Sequence, residues 1–227
     1  MRNTVFQWIF YSLIQPLCRV GGDGKIHQQS ARILAQIRLA KLFGGAKRIL
    51  IGDSNSAVFC NYAAMRRFRD LTLALGVGGT TANDWIAYFD TADGKKVLEY
   101  IRGRQVIWNI GGNYVLLGQM LNADSGLARL RTIFPKSLNC TCPPVRAGIL
   151  EEISRLFGAT KTASAYQADF ARINSMIVRY WHPQVIDLFT VFMDPTDREA
   201  YDLALKDMVH YSKYAVDIIR KVVEVVA

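Results

Sequence analysis

The chain has 227 residues, 51% hydrophobic and 21% charged, with a formal net charge of +9. That length and apolar share suit one compact soluble or peripheral domain with a sizeable core, and no apolar run is long enough to cross a bilayer. Its four cysteines show no zinc-type pairing with the three histidines, and no Gly-rich phosphate loop or carboxylate cluster is present, so no metal or cofactor is expected.

The charge is unevenly placed. Residues 1–48 hold eight Lys or Arg against one acid, Asp23, and so carry seven of the nine excess positive charges. Within this stretch Phe6, Ile9, Phe10, Leu13, Ile14 and Leu17 recur at helical spacing, Trp8 and Tyr11 add aromatic surface, and Pro16 ends the pattern. A basic, aromatic-rich amphipathic helix can lie in an anionic membrane interface, and it can equally dock on its own domain or on a second copy. A secretory signal is the weakest reading, because Gln7, Ser12 and Gln15 interrupt the apolar run and no small-residue cleavage site follows. The compartment stays unassigned. Nucleic-acid binding is not expected, since no reader motif accompanies the basic residues. A second amphipathic helix is predicted over Lys25 to Phe43, with Ile26, Ile33, Leu34, Ile37 and Leu42 opposed by Arg32, Arg38 and Lys41. The compositional break near Gly44-Gly45 divides the chain into a basic N-terminal extension, 1–46, and a domain, 47–227.

Beyond the break, apolar runs that read as buried strands occur at Arg48–Ile51, Thr72–Val77, Gln105–Ile110, Ser137–Thr141 and Gln184–Phe192, separated by segments of helical length. This α/β alternation predicts a three-layer α/β/α architecture with a central parallel sheet, whose sites lie beyond the C-terminal ends of the strands. Phe170, Ile173, Ile177 and Trp181 form an apolar stripe on a helix, and Ile218, Ile219, Val222 and Val226 form another near the C-terminus. Both are read as core. Pro143-Pro144 ends the fourth run and shapes a loop at the same rim.

Four short segments fall in one order along the chain: Gly52-Asp53-Ser54-Asn55, Gly78-Gly79-Thr80, Gly111-Gly112-Asn113 and Asp207-Met208-Val209-His210. A serine after an apolar strand, a glycine amide, an asparagine side chain and an Asp-His pair are the parts that acyl transfer from an ester requires. Their order and content resemble the SGNH hydrolases, also called the GDSL esterase/lipase family, from about Lys47 to the C-terminus. The first block, Ile49 to Ser56, matches closely. In the second, Leu75 to Thr81, Gly79 aligns best with the family glycine and Gly78 remains open. In the third, Val106 to Asn113, the Gly-x-Asn is kept while Tyr114 stands where many members have Asp. In the last, the Asp-x-x-His spacing is kept and the glycine that often follows is missing from Tyr211-Ser212-Lys213-Tyr214.

The resemblance implies a flavodoxin-like SGNH fold, a Ser54 nucleophile, and an oxyanion hole made by the Ser54 and Gly79 amides and the Asn113 side chain. The chemistry agrees. A serine hydroxyl needs a base within reach, and of His27, His182 and His210 only the last follows an aspartate by three residues. Asp207 would hold the His210 tautomer and stabilise its imidazolium. Asp53 is read as a support of the turn. The expected activity is hydrolysis of a carboxylic ester, with a lipid or an acylated glycan as substrate. An O-acyltransferase using the same acyl-enzyme, or a silent binding module, would share these residues.

Overall fold

The computed structural model describes residues 25–59, 69–145, 161–193 and 211–226, together with residues 150 and 152. Its centre is a five-stranded sheet of β1 (Arg48–Gly52), β2 (Thr72–Gly76), β3 (Gln105–Asn109), β4 (Leu138–Cys140) and β5 (Val185–Ile186). All pairings are parallel and the spatial order is β2-β1-β3-β4-β5. Every residue of β2 is buried, as are Ile49, Leu50, Ile51, Val106, Ile107 and Trp108. Such strands are covered on both faces, which is why they appear in sequence as continuous apolar runs.

The helices are α1 (Ser30–Leu42), α2 (Ser54–Phe59), α3 (Ala82–Phe89), α4 (Ala92–Ile101), α5 (Gly112–Leu116), α6 (Ala123–Ile133), α7 (Ala163–Trp181), α8 (Leu188–Phe192) and α9 (Lys213–Val226). Local chemistry sets several starts. Thr81 and Asp84 form a capping box on α3, Thr91 accepts from the Gly94 amide at the start of α4, and Thr162 accepts from the Ala165 amide at the start of α7. The β3 alternation sends Trp108 toward α3, where Trp85, Phe89 and Phe134 surround it at ring-centre distances of 6.3, 6.5 and 5.3 Å. It sends the Asn109 side chain to the other face, where the Tyr211 hydroxyl meets it just before α9.

The three-layer α/β/α expectation is met, with two differences in detail. The fifth predicted run, Gln184–Phe192, forms only two strand residues before α8 begins, because the Asp187 carboxylate accepts the Thr190 amide and caps a helix there. The helix expected over Lys25 to Phe43 is present as a short 3-10 turn, Ile26–Gln29, followed by α1. Ile33, Ile37 and Ala40 of α1 are at most 3% exposed. Ser30 shares a 2.8 Å hydrogen bond with the Tyr88 hydroxyl, and the Ala46 amide donates to the Tyr100 hydroxyl at 2.9 Å. This part of the 1–46 segment therefore shares the core of the domain. The amphipathic stretch before Pro16 lies outside the described residues, and no described helix is long and apolar enough to cross a membrane.

Candidate active site

In the sheet, β1 is flanked by β2 on one side and β3 on the other, so the chain reverses its direction of winding at the β1/β3 boundary. Crevices of open parallel sheets form at that switch point, beyond the strands' C-terminal ends. A cleft of about 480 Å³, counting its open mouth, lies there. Asp53, Ser54 and Asn55 line it from the end of β1, Asn109, Gly112 and Asn113 from the end of β3, and Leu116, Cys142, Pro143, Val145 and Phe170 supply an apolar wall.

The turn that carries Ser54 is built on Gly52. A Cβ at Gly52 would sit 2.1 Å from the Asn109 carbonyl oxygen, so only glycine lets β1 and β3 close at this point. The Gly52 carbonyl accepts from the Val77 amide at 3.1 Å, the Trp85 indole N–H at 3.1 Å and the Thr80 hydroxyl at 3.3 Å. Asp53, 5% exposed, turns its carboxylate back to accept the Asn55 amide at 2.9 Å, and its own amide donates to the Asn109 carbonyl at 3.3 Å. Asp53 thus supports the turn, as expected. Ser54 then opens α2, half-buried at the cleft, and its hydroxyl has no hydrogen-bond partner among the described residues.

The second and third segments are tied to each other. Gly79 adopts φ +71°, a left-handed conformation natural to glycine, in a turn closed by the Thr80 hydroxyl on the Val77 carbonyl at 2.7 Å. Asn113, 8% exposed in α5, donates from Nδ2 to the Thr80 carbonyl at 2.9 Å. One amide N–H of Asn113 is so occupied, and its second remains for another acceptor. Ser54 and Asn113 share the cleft. The Gly79 turn does not line it, but Thr80 links that turn to Asn113 and to Gly52. Gly78 is half-buried beside it. Tyr114 is fully buried, accepts the Asn83 amide at 3.3 Å, and has its hydroxyl pushed up to about 12 by burial, so it serves the core.

Asp207 and His210 lie outside the described residues. The residue after His210, Tyr211, is fully buried. Its amide donates to Asn55 Oδ1 at 3.0 Å and its hydroxyl to Asn109 Oδ1 at 3.2 Å. Asn55 and Asn109 were not singled out from sequence, and each depends on a partner more than a hundred residues away. Asn174 was missed as well. It is 9% exposed on the apolar stripe of α7, where it accepts the Cys142 amide at 2.7 Å and donates to the Cys142 carbonyl at 3.0 Å. An asparagine among Phe170, Ile173 and Ile177 was the available signal, because a buried amide needs partners. Its clamp fixes the loop that carries the apolar wall, and Phe170 of the same helix adds to that wall besides packing in the core. Cys140 and Cys142 are free, buried thiols. Burial, aided by Asp53, pushes Cys140 to about 12 and Cys142 higher. Among the described residues no group of His, Cys, Asp and Glu could hold a metal ion.

No protein-family model and no curated protein matches this chain. Solved structures do. A GDSL-like lipase from Bacteroides thetaiotaomicron aligns with 78% of this chain and 86% of its own at 14% identity and a TM-score of 0.58. A candidate SGNH hydrolase from Slackia heliotrinireducens aligns with 80% of this chain and 99% of its own at 14% identity, again with a TM-score of 0.58. A catalytic mutant of an acetylxylan esterase from Geobacillus stearothermophilus aligns with 78% of this chain and 91% of its own at 15% identity and a TM-score of 0.51. The similarity in architecture agrees with the resemblance carried by the four sequence blocks, and the chain has the three-layer fold of the SGNH, or GDSL, hydrolases.

Proposed function

We propose that the chain is a serine ester hydrolase, with residues 47–227 as its hydrolase unit and Ser54, Asp207 and His210 as its catalytic triad. The observation that carries this reading is the meeting of Ser54 and Asn113 in one cleft at the β1/β3 switch point, with Tyr211, one residue beyond His210, hydrogen-bonded to the nucleophile's neighbour Asn55.

Ser54 Oγ attacks the ester carbonyl carbon while His210 takes the hydroxyl proton, and Asp207 stabilises the resulting imidazolium. The carbonyl oxygen becomes an oxyanion held by the Ser54 and Gly79 amides and the second N–H of Asn113. Neither of those backbone amides has a partner among the described residues. Collapse expels the alcohol, which takes the proton from His210 and leaves an acyl-Ser54. Water then attacks the acyl carbon and gives a proton to His210, and collapse breaks the bond to Ser54 Oγ, which takes that proton back as the carboxylic acid is released. No step requires a metal or an organic cofactor.

The structural neighbours include proteins described as a lipase and an acetylxylan esterase, which supports esters of small molecules or glycans as the substrate class. The wall of Leu116, Val145 and Phe170 favours an acyl group with several methylenes, and so a lipid or a longer-chain acylated glycan. For the apolar, aromatic-rich stretch before Pro16 we propose contact with a membrane surface. The test is hydrolysis of p-nitrophenyl esters from acetate to decanoate by the intact protein and by Ser54→Ala. Turnover that the substitution abolishes is the expected result. Turnover that survives it, or its absence from the intact protein at every chain length, overturns the reading.

A further inference from the structure

The bonds around Ser54 form a closed circuit. The Asp53 amide donates to the Asn109 carbonyl, and the Asn109 side-chain oxygen accepts the Tyr211 hydroxyl. The Tyr211 amide donates to the Asn55 side-chain oxygen, and the Asn55 amide donates to the Asp53 carboxylate. Four residues from three distant parts of the chain close one ring. Ser54 is threaded between two of its members, Asp53 and Asn55, and His210 immediately precedes a third.

We infer that Tyr211, gripped by Asn55 and Asn109, is a positioning residue that holds the Ser54 turn in place at the end of β1. The inference rests on the Ser54–His210 reading proposed above. Each bond in the ring has a defined direction. A backbone amide can only donate, so Asn55 must turn its oxygen toward Tyr211, and the Asp53 carboxylate can only accept. Tyr211 is fully buried and its ring packs on Phe192 of α8 at 6.1 Å, so water does not replace its partners. Desolvation holds its hydroxyl well above the usual tyrosine range, which keeps it a protonated donor throughout the working pH of an esterase.

Tyr211 is bonded at both its amide and its hydroxyl, so it ties the end of β3 to the residue after Ser54. Catalytic geometry is sensitive to such support, since a displacement of about 1 Å costs on the order of 100-fold in rate. Asn55→Ala removes the acceptor of the Tyr211 amide, Tyr211→Phe removes only the hydroxyl bond, and Asn55→Asp restores an acceptor of the same shape.

The experiment measures kcat, KM and the second-order rate of fluorophosphonate labelling for the three variants and the double variant Asn55→Ala/Tyr211→Phe. All values are normalised to competent sites by active-site titration, with the melting temperature recorded for each. The expected result is a fall in kcat and labelling rate on the order of 100-fold for Asn55→Ala and about tenfold for Tyr211→Phe, with KM within about twofold. Asn55→Asp recovers most of the loss on the plateau of the pH profile, and the double variant loses less than the product of the singles, because both bonds serve one ring. Unchanged kcat and labelling rate per titrated site in Asn55→Ala and Tyr211→Phe, whether or not the melting temperature falls, overturn the inference. Full activity in Ser54→Ala is a separate outcome that removes the underlying reading rather than the ring.

Discussion

Replacing Asn113 with alanine deletes two donors at once, and the two losses register in different measurements. The first bond, Nδ2 to the Thr80 carbonyl at 2.9 Å, is buried. Its removal leaves a carbonyl without its partner, at a cost of about 1–3 kcal/mol. For a chain of this size each kcal/mol lowers the melting temperature by about 2–4 °C, so a fall of roughly 2–12 °C is expected. The second N–H is the proposed oxyanion donor, and loss of one such donor lowers kcat by about 10²–10³, or 2.7–4 kcal/mol of transition-state stabilisation. KM changes little, because the donor's contribution grows as charge develops on the oxygen. The assay is steady-state hydrolysis of p-nitrophenyl butyrate by titrated enzyme at 25 °C, well below either melting temperature, with thermal unfolding measured in parallel. A variant that melts lower yet keeps kcat within about threefold of the parent refutes the oxyanion role and leaves Asn113 as a tie between two loops.

Chain-length selectivity follows from the apolar wall: kcat/KM rises by about 0.8 kcal/mol, near fourfold, per added methylene until Leu116, Val145 and Phe170 are covered, and a flat or falling series from acetate to hexanoate contradicts this. The buried thiols predict an alkaline effect on stability. Cys140 ionises near 8.5 when unfolded and at about 12 when folded, so its contribution is complete below about pH 8.5 and is lost at up to about 1.4 kcal/mol per pH unit as pH rises toward 12. Urea midpoints at pH 8 and pH 10 measure this decline, and Cys140→Ala should flatten part of it. Iodoacetamide at pH 8 should leave Cys140 and Cys142 unmodified in the native protein, as read by peptide mass mapping. Truncation separates the apolar N-terminal stretch from the basic stretch after it: removing residues 1–24, which carry only one excess positive charge, should preserve the melting temperature while weakening vesicle binding through loss of the apolar residues 6–17, whereas removing 1–46 takes away Ile33, Ile37 and Ala40 and destabilises the domain by several kcal/mol. Unchanged vesicle binding in the shorter truncation defeats the membrane assignment, and an unchanged melting temperature in the longer one defeats the assignment of α1 to the core.

Four of the five predicted strands were legible because a strand covered on both faces reads as a mostly apolar run, as β1 to β4 do despite the polar Arg48, Thr72, Gln105, Asn109 and Asn139 within them. The fifth misled for a local reason. Val185 to Phe192 is mostly apolar in either conformation, and the Asp187 cap that turns it into α8 depends on a side chain whose other carboxylate contact is the Thr141 hydroxyl of a neighbouring strand end. Helix α1 was readable as amphipathic, but its contacts, Ser30 with Tyr88 and Lys41 with the Tyr100 ring, span more than fifty residues and so were not legible in the sequence.

The candidate site divides along the same line. Ser54, Gly79 and Asn113 were nominated because each sits in a short segment whose residue types and order suit the chemistry; Asp207 and His210, nominated by their spacing, lie outside the described residues. Phe170 was read as core alone, and Asn55, Asn109 and Asn174 were given no role, because nothing in their own neighbourhoods distinguishes an asparagine that grips a distant residue from one that faces water. The sequence by itself determined the layered α/β fold and nominated the reactive segments, since both readings rest on local hydrophobic pattern and residue type. Only the tertiary structure decided that β1 lies between β2 and β3, and that order places the Ser54 and Asn113 loops at one switch-point crevice and closes the Asp53–Asn55–Tyr211–Asn109 ring, because hydrogen bonds across so many residues exist only once the sheet has brought their ends together.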